Sequence, residues 1–248
     1  MNLFAIAMIA LLLFGCKQTE KSAGIWLSFD DRSIDEWYTL RNLMKTNKVF
    51  VTFFVTQPDS LTADEVDKLK KLQLDGHEIG FHGNMHVLSE HYIKENGYRR
   101  YLKDEIDSGL KTMNALGFSC TSFAYPYGAK FWCTDLILSS KFDYLRGVVP
   151  LNKEKDLTTI DEIFYSFNKV KSLYAISFDS NSGISNKMLK EGISRAKEKN
   201  EVLMLYAHSP TKSDQKNYSF STETLKFIID QATANNLTFY TTKTLASG

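Results

Sequence analysis

The chain has little net charge and no long apolar run, and each shortage excludes a class of protein. Its 248 residues include three cysteines and carry a formal net charge of +1. A nearly neutral protein offers no bulk electrostatic attraction to nucleic acid or to an anionic membrane, although this does not bear on a local basic patch. The apolar stretch at residues 3–15 is shorter than the roughly 20 residues that a membrane-spanning helix needs. We therefore expect neither nucleic acid as a partner nor a membrane span.

The N-terminal segment resembles a bacterial lipoprotein signal. Residues 3–15 are uncharged and end in Gly15, directly before Cys16, as at the cleavage site where a cysteine becomes the lipidated N-terminus. We predict a signal peptide at 1–16 with Cys16 lipidated, a short tether at 17–23 and a folded domain at 24–248. The protein would then be anchored to a membrane of the bacterial cell envelope, in the periplasm or on the surface. An ordinary signal peptide with an incidental cysteine is the alternative.

The two remaining cysteines allow two interpretations. Cys120 and Cys133 could form a disulfide in an oxidising envelope, or each could be buried as a small hydrophobic side chain. Without histidines nearby they make a poor zinc site.

The rest of the sequence alternates between strand and helix patterns. Runs of apolar and β-branched residues predict strands near 25–29, 49–55, 77–81, 121–125, 144–149, 173–178, 202–207 and 238–241. Apolar residues at helical spacing predict helices near 33–45, 62–74, 97–116, 134–140, 186–199 and 222–235. No repeat, linker or low-complexity tract divides this pattern. It predicts a single α/β domain of parallel strands, as a barrel or an open sheet, with its chemistry at strand ends.

Acidic and histidine side chains follow two of the predicted strands. Asp30 and Asp31 come directly after the first strand, and His82 and His86, four residues apart, come after the third. Two imidazoles and one carboxylate with an open coordination position form a known catalytic metal arrangement. The alternative is structural, because acids can also cap a following helix and histidines can lie on the surface.

Two further strand ends carry candidate residues. His208 follows the strand at 202–207, where an imidazole can act as a general acid or base, or can be merely structural. The turn Tyr125-Pro126-Tyr127-Gly128 ends another strand. It can aim a backbone N–H into a site, or it is simply an aromatic-rich turn.

Taken in order, four segments of the chain resemble the polysaccharide deacetylase family, also called the NodB-homology or carbohydrate esterase 4 family. They are Ser28-Phe29-Asp30-Asp31, His82-Gly83-Asn84-Met85-His86, Tyr125-Pro126-Tyr127-Gly128 and Leu205-Tyr206-Ala207-His208. The resemblance extends from about residue 25 to the C-terminus. It implies a distorted (β/α) barrel of about seven parallel strands and one divalent metal ion, usually Zn²⁺, with Co²⁺, Ni²⁺ or Mn²⁺ as alternatives.

The resemblance also implies a role for each matching residue. The positions of the metal ligands are Asp31, His82 and His86. Asp30 matches the catalytic base and His208 the catalytic acid. The backbone N–H of Tyr127 matches the donor to the oxyanion, and Leu205 matches an apolar residue of the acetyl pocket.

The chain departs from the family's pattern at three places. Gly83 stands where the family usually has Ser or Thr, so a hydroxyl that supports this loop is missing, but no ligand is. Ala124 stands where the family has the Arg that holds the base, and Arg146 is the candidate replacement. The Asp-Trp pair that orients the acid is not recognisable, and Asp179 is its candidate substitute.

These residues predict a metal-dependent hydrolase that removes acetyl groups from an envelope or extracellular carbohydrate, N-acetyl rather than O-acetyl. Trp132 and Tyr127 are candidates for stacking on a sugar. One alternative is a metal-dependent amidase that acts on a non-sugar amide. Another is a carbohydrate-binding lipoprotein that has lost catalysis, suggested by the missing Arg at Ala124. The sequence predicts neither the particular glycan nor the oligomeric state.

Overall fold

Seven parallel strands close into a barrel in the computed structural model, which describes residues 21–150, 156–211 and 217–246. The barrel strands, in their order around it, are β1 (Gly24–Asp31), β2 (Val51–Val55), β3 (Glu78–Phe81), β4 (Ser122–Ala124), β5 (Tyr144–Val148), β7 (Ser172–Ser177) and β8 (Val202–Ala207). Pairing of β8 with β1 completes the ring. The predicted single-domain barrel of about seven parallel strands is confirmed. The predicted signal peptide with Cys16, and residues 17–20 of the tether, lie outside the described residues.

Within the ranges that the structure describes, four short strands stand outside the ring. They are β6 (Phe164–Tyr165), antiparallel to β8; the parallel pair β9 (Ser209–Thr211) and β10 (Ser219–Ser221); and β11 (Thr238–Tyr240), which pairs with the first residues of β1. Of these, the sequence predicts only β11, which lies within the strand expected at 238–241. The other three are two or three residues long and lie in no longer run with a strand period.

Helices surround the barrel. They are α1 (Ile34–Thr39), α2 (Arg41–Thr46), α3 (Ala63–Leu74), α4 (Ser89–Asn96), α5 (Tyr98–Tyr101), α6 (Ser108–Ala115), α7 (Trp132–Leu138), α8 (Asn186–Lys199), α9 (Thr222–Ala234) and α10 (Thr242–Ala246). Single 3₁₀ turns lie at Pro58–Ser60, Pro126–Gly128, Leu157–Thr159 and Asp161–Ile163. Among the described residues, no helix is long and apolar enough to cross a bilayer.

Two predicted helices are interrupted in the structure. The helix at 33–45 breaks at Leu40, whose N–H bonds three residues back to the Trp37 carbonyl rather than four. The helix at 97–116 contains a π-helical segment, Leu102–Asp107, between α5 and α6. The helix α4 was not predicted, because its sequence is mostly polar. By contrast, the helix predicted at 62–74 is continuous as α3, and Thr62 caps it in a capping box with Glu65.

Alternate side chains of the strands build two apolar layers. One set fills the barrel interior, including Trp26, Phe54 and Met204, and the other packs outward against the helices, including Leu27 and Leu205. Burial of each such side chain contributes roughly 1.5–3 kcal/mol. Because α10 covers the amino ends of the strands, with its Lys243 N–H donating to Glu78 at 2.8 Å, the open mouth of the barrel is at the carboxyl ends.

Neither described cysteine forms a disulfide, and one histidine lies in the core rather than in a site. Cys120 and Cys133 are both free thiols, so the disulfide alternative is wrong for this structure. Burial raises the pKa of the Cys120 thiol to about 12. His77 is buried and accepts a hydrogen bond from the Val51 N–H at 3.1 Å. Burial lowers its pKa to about 4.

Candidate active site

A cavity of about 320 Å³ opens at the carboxyl ends of the barrel strands. It is lined by Asp30, Asp31, His82, His86, Tyr127, Gly128, Val148, Tyr206, His208 and Tyr218. The structure therefore brings together side chains from β1 and from the segments that follow β3, β4 and β8, as expected of a parallel barrel. Its volume is within the range of small-molecule sites.

Asp31, His82 and His86 form one cluster on the cavity wall. A ligand atom from each lies within 4.8 Å of the others. Asp31 Oδ1 is 3.4 Å from His82 Nε2 and 3.2 Å from His86 Nε2. Burial alone would raise the pKa of Asp31, but the two imidazoles hold it well below its usual range, so Asp31 is ionised at neutral pH.

The donor atoms of this cluster suit a divalent cation. His82 Nδ1 lies 2.8 Å from the Ala124 carbonyl, which can only accept a hydrogen bond, so His82 carries its proton on Nδ1 and turns the lone pair of Nε2 toward Asp31. Asp31 Oδ1 is buried and has no hydrogen-bond partner among the described residues. Two lone pairs facing each other at this distance are unfavourable unless a positive charge lies between them, either a second proton on the imidazole or a metal ion. Two imidazoles and a carboxylate fit Zn²⁺.

The backbone around the cavity is strained. Asp31, His86 and Tyr127 have left-handed φ angles of 80°, 59° and 60°. Such conformations cost non-glycine residues about 1–3 kcal/mol each and concentrate at functional sites. The left-handed φ of Asp31 turns its side chain away from that of its neighbour, so that Asp30 faces the barrel interior while Asp31 faces the histidines.

Asp30 is paired with the residue expected to replace the missing Arg. The Nη2 atom of Arg146 lies 2.5 Å from Asp30 Oδ1 and also contacts Asp30 Oδ2. Both side chains are almost fully buried. The guanidinium lies between the rings of Phe54 and Tyr206, 5.3 and 4.9 Å from their centroids. Aromatic faces and a counter-charge stabilise a buried guanidinium. Arg146 thus contacts the carboxylate that the missing Arg was expected to hold.

His208 is oriented by Asp179. His208 Nδ1 lies 2.6 Å from Asp179 Oδ2, and the His208 backbone N–H donates to Asp179 Oδ1 at 3.1 Å. This leaves Nε2 pointing to the cavity, 4.0 Å from Asp31 Oδ2. Burial would lower the pKa of His208, but the hydrogen bond to Asp179 and the charges of Asp30 and Asp31 raise it. A raised pKa favours the protonated imidazole, which is the form that a general acid requires.

Asp179→Asn is expected to lower the pKa of His208, because the substitution removes the charged partner of Nδ1. An acid with a lower pKa loses its proton sooner as pH rises, so the alkaline limb of the kcat profile should move to lower pH. We also expect kcat to fall by roughly 10²-fold or more, because the ring loses its orientation. The measurement is kcat against pH. Asp230→Asn, an exposed carboxylate on α9, is the control, and an unmoved alkaline limb would contradict the role of Asp179.

The acetyl-pocket assignment requires a correction of one residue. Leu205 packs in the outer layer, and among the described residues the wall of the cavity contains Tyr206 instead. Side chains alternate along a strand, so only residues two apart, here Tyr206 and His208, share a face. This alternation could have revealed the error from the sequence.

The aromatic residues around the cavity are only partly those predicted. Tyr127 lines the cavity with its ring 4.8 Å from that of His86. Trp132 is 73% exposed but is not among the lining residues. Tyr218, whose ring lies 5.3 Å from His208, was missed because it follows no predicted strand.

The sequence matches a family model described as polysaccharide deacetylase over residues 17–141. This is half of the chain, and the chain belongs to the polysaccharide deacetylase family. Family membership supports hydrolytic removal of acetyl groups from carbohydrate. Comparison with curated proteins by sequence found no match.

Solved structures of deacetylases share the fold. The catalytic domain of a peptidoglycan N-acetylglucosamine deacetylase from Eubacterium rectale is 20% identical, with a TM-score of 0.53 over 89% of this chain and 90% of that one. A family 4 carbohydrate esterase from Streptomyces lividans, in complex with acetate, is 14% identical, with a TM-score of 0.57 over 91% and 95%. A chitin deacetylase from the fungus Colletotrichum lindemuthianum is 13% identical, with a TM-score of 0.57 over 92% and 90%. At these identities the likeness establishes the fold alone.

Proposed function

We propose that the protein is a metal-dependent deacetylase acting on an N-acetylated envelope or extracellular carbohydrate. The observation that carries the proposal is the convergence of three elements on one cavity: the cluster Asp31–His82–His86, the pair Asp30–Arg146 and the pair His208–Asp179. The alternative of a binding protein without catalysis was suggested by the missing Arg, and the contact of Arg146 with Asp30 removes that reason.

The proposed mechanism gives each residue one task. A divalent ion held by Asp31, His82 and His86 would polarise the acetyl carbonyl and lower the pKa of a water. Asp30, held in place by Arg146, takes the proton of the attacking water. The Tyr127 N–H donates to the developing oxyanion. His208 then gives the proton on Nε2 to the leaving group, and acetate is released.

The His208–Asp179 pair favours N-acetyl over O-acetyl substrates. An amine is expelled from a tetrahedral intermediate only after protonation, whereas a sugar hydroxyl is a better leaving group. An acid whose pKa is raised by a buried carboxylate is therefore more useful for an amide than for an ester. The relatives described as peptidoglycan N-acetylglucosamine and chitin deacetylases support the same choice.

The test is acetate release by the full-length protein from N-acetylglucosamine oligomers and from acetylated xylan, with bound metal measured on the same sample. We expect about one Zn²⁺ per chain and acetate from the N-acetylated oligomers. A chelator should stop the reaction and added Zn²⁺ should restore it. Acetate from xylan alone would reverse the N-acetyl preference. Metal without acetate from any sugar would favour an amidase, and chelator-resistant acetate release would contradict metal dependence.

We also propose that lipid on Cys16 anchors the protein with its site facing away from the membrane. Ser22 and Lys21 lie beside β11 and α10, at the amino ends of the strands. The cavity is at the opposite end, beyond the eight residues of β1, or about 25 Å. Cys16→Ala should release the protein from the membrane fraction. If a processed variant stays in that fraction, the anchor is not lipid on Cys16.

A further inference from the structure

A buried carboxylate holds the loop that carries the second histidine of the cluster. Glu105, in the π-helical segment, accepts hydrogen bonds from the Met85 N–H at 2.6 Å and the Val87 N–H at 3.2 Å. Its own carbonyl accepts from the Asn84 N–H at 3.0 Å. The amides on both sides of His86 are thus fixed by one fully buried side chain.

Gly83 makes room for this carboxylate. A Cβ at position 83 would lie 2.1 Å from Glu105 Oε1, and φ is +88°, a conformation that side chains rarely adopt. The sequence departs from its family here, since Gly83 replaces a residue whose hydroxyl supports the loop. The structure supplies a replacement from another element: the side chain lost at Gly83 and the carboxylate of Glu105 occupy the same space.

The helix that carries Glu105 is adapted to bring it this close. π-Helical segments inside α-helices shift the side chains around them and are frequent at functional sites. One turn later, a Cβ on Gly109 would lie 2.5 Å from Phe81 and 2.9 Å from Asn84 Cβ, so only a glycine allows α6 to approach the loop.

We propose that Glu105 is a positioning residue for the metal cluster, which rests on the proposed metal-dependent function. His86 has a left-handed φ of 59°, a conformation that relaxes unless its neighbours prevent it. Glu105 prevents it by accepting both flanking N–H groups. The imidazole then stays 3.2 Å from Asp31, ready for a cation rather than ordered by one.

The first test compares Zn²⁺ affinity in the full-length wild-type protein and in Glu105→Gln. A glutamine side chain has one accepting oxygen, so one of the two loop amides loses its partner. Because burial raises the pKa of Glu105 to about 7, the titration is done at pH 8, by competition with a chromophoric chelator. We expect the Zn²⁺ Kd to rise by roughly 10- to 100-fold, with kcat recovering at saturating Zn²⁺.

The controls separate this role from general stability. Asp104→Asn removes the neighbouring carboxylate, which contacts Tyr92 and Arg100 rather than the loop amides, and should keep the wild-type Kd. The melting temperature of metal-free protein is measured for each variant. A Glu105→Gln protein with a lower melting temperature but an unchanged Kd would overturn the proposal. If the wild type itself bound no Zn²⁺, the proposed metal dependence would fail as well.

A double-mutant cycle gives an independent answer. Gly83→Ala should weaken Zn²⁺ binding, because its Cβ collides with Glu105. In a Glu105→Ala background the collision is absent, so the same change should cost less. If the two substitutions changed the Zn²⁺ Kd by independent, multiplicative factors, positions 83 and 105 would not be coupled in Zn²⁺ binding, and the proposal would be wrong.

Discussion

Asp30→Asn is expected to bind Zn²⁺ almost as tightly as the wild-type protein while its kcat falls by roughly 10²- to 10⁴-fold. Asp30 and Asp31 are adjacent, yet Asp30 faces Arg146 inside the barrel and Asp31 faces the two histidines. An amide at position 30 cannot take a proton from water. The measurement is Zn²⁺ titration and acetate release on the same preparation.

Asp31→Asn should give the opposite pattern and is the matched control. It removes the only carboxylate of the cluster, so Zn²⁺ binding should be lost together with activity. Asp30→Asn leaves the Arg146 guanidinium without a counter-charge, which is destabilising, so folding must be checked by circular dichroism. A fully active Asp30→Asn protein would rule out Asp30 as the base. Loss of Zn²⁺ from a folded Asp30→Asn protein would assign Asp30 to metal binding instead.

The positions of the candidate site could be predicted because they follow strands. Asp30, His82, Tyr127 and His208 each follow a run of apolar residues, and a parallel barrel brings such strand ends to one mouth. The fold was predictable for the same reason, since strand and helix patterns alternate along the chain. Both predictions depend on patterns of apolar residues that are short in sequence and regular in period.

The rest depends on contacts that no local pattern encodes. Glu105 contacts the loop that carries His86 from a helix about 20 residues further along the chain. The only feature of the sequence that relates to this contact is Gly83, whose lack of a side chain leaves room for the Glu105 carboxylate. The Leu205 assignment followed the order of the motif rather than the alternation of the strand, and was one residue out. The split at Leu40 reflects one hydrogen bond, which composition does not show.

Arg146 illustrates how a motif residue can move between strands without changing its target. Ala124 on β4 and Arg146 on β5 are paired in register. Paired residues on neighbouring strands point to the same face of a sheet, so an arginine at either position can reach into the barrel. The small Ala124 side chain belongs to the interior layer and leaves that space open. The sequence could name Arg146 only as a candidate, because strand pairing was not known.

Arg146→Met is therefore expected to lower kcat by at least about 10²-fold and the free energy of unfolding by about 3–5 kcal/mol. Methionine keeps the packing between Phe54 and Tyr206 but leaves Asp30 buried without a counter-charge, a state that is costly unless the carboxyl becomes neutral. A neutral Asp30 cannot act as a base. The measurements are urea unfolding and kcat at saturating Zn²⁺.

Arg195→Met is the matched control, because Arg195 is also buried, pairs with Glu201 and lies over the Phe164 ring, yet is not among the residues lining the cavity. It should lower stability and leave kcat of the folded protein near the wild-type value. The double variant Arg146→Ala with Ala124→Arg restores the family's arrangement and should recover part of the lost kcat. A folded Arg146→Met protein with wild-type kcat would mean that Asp30 needs no counter-charge. Recovery in the double variant would show that the barrel requires a cation beside Asp30 but not a particular strand to supply it.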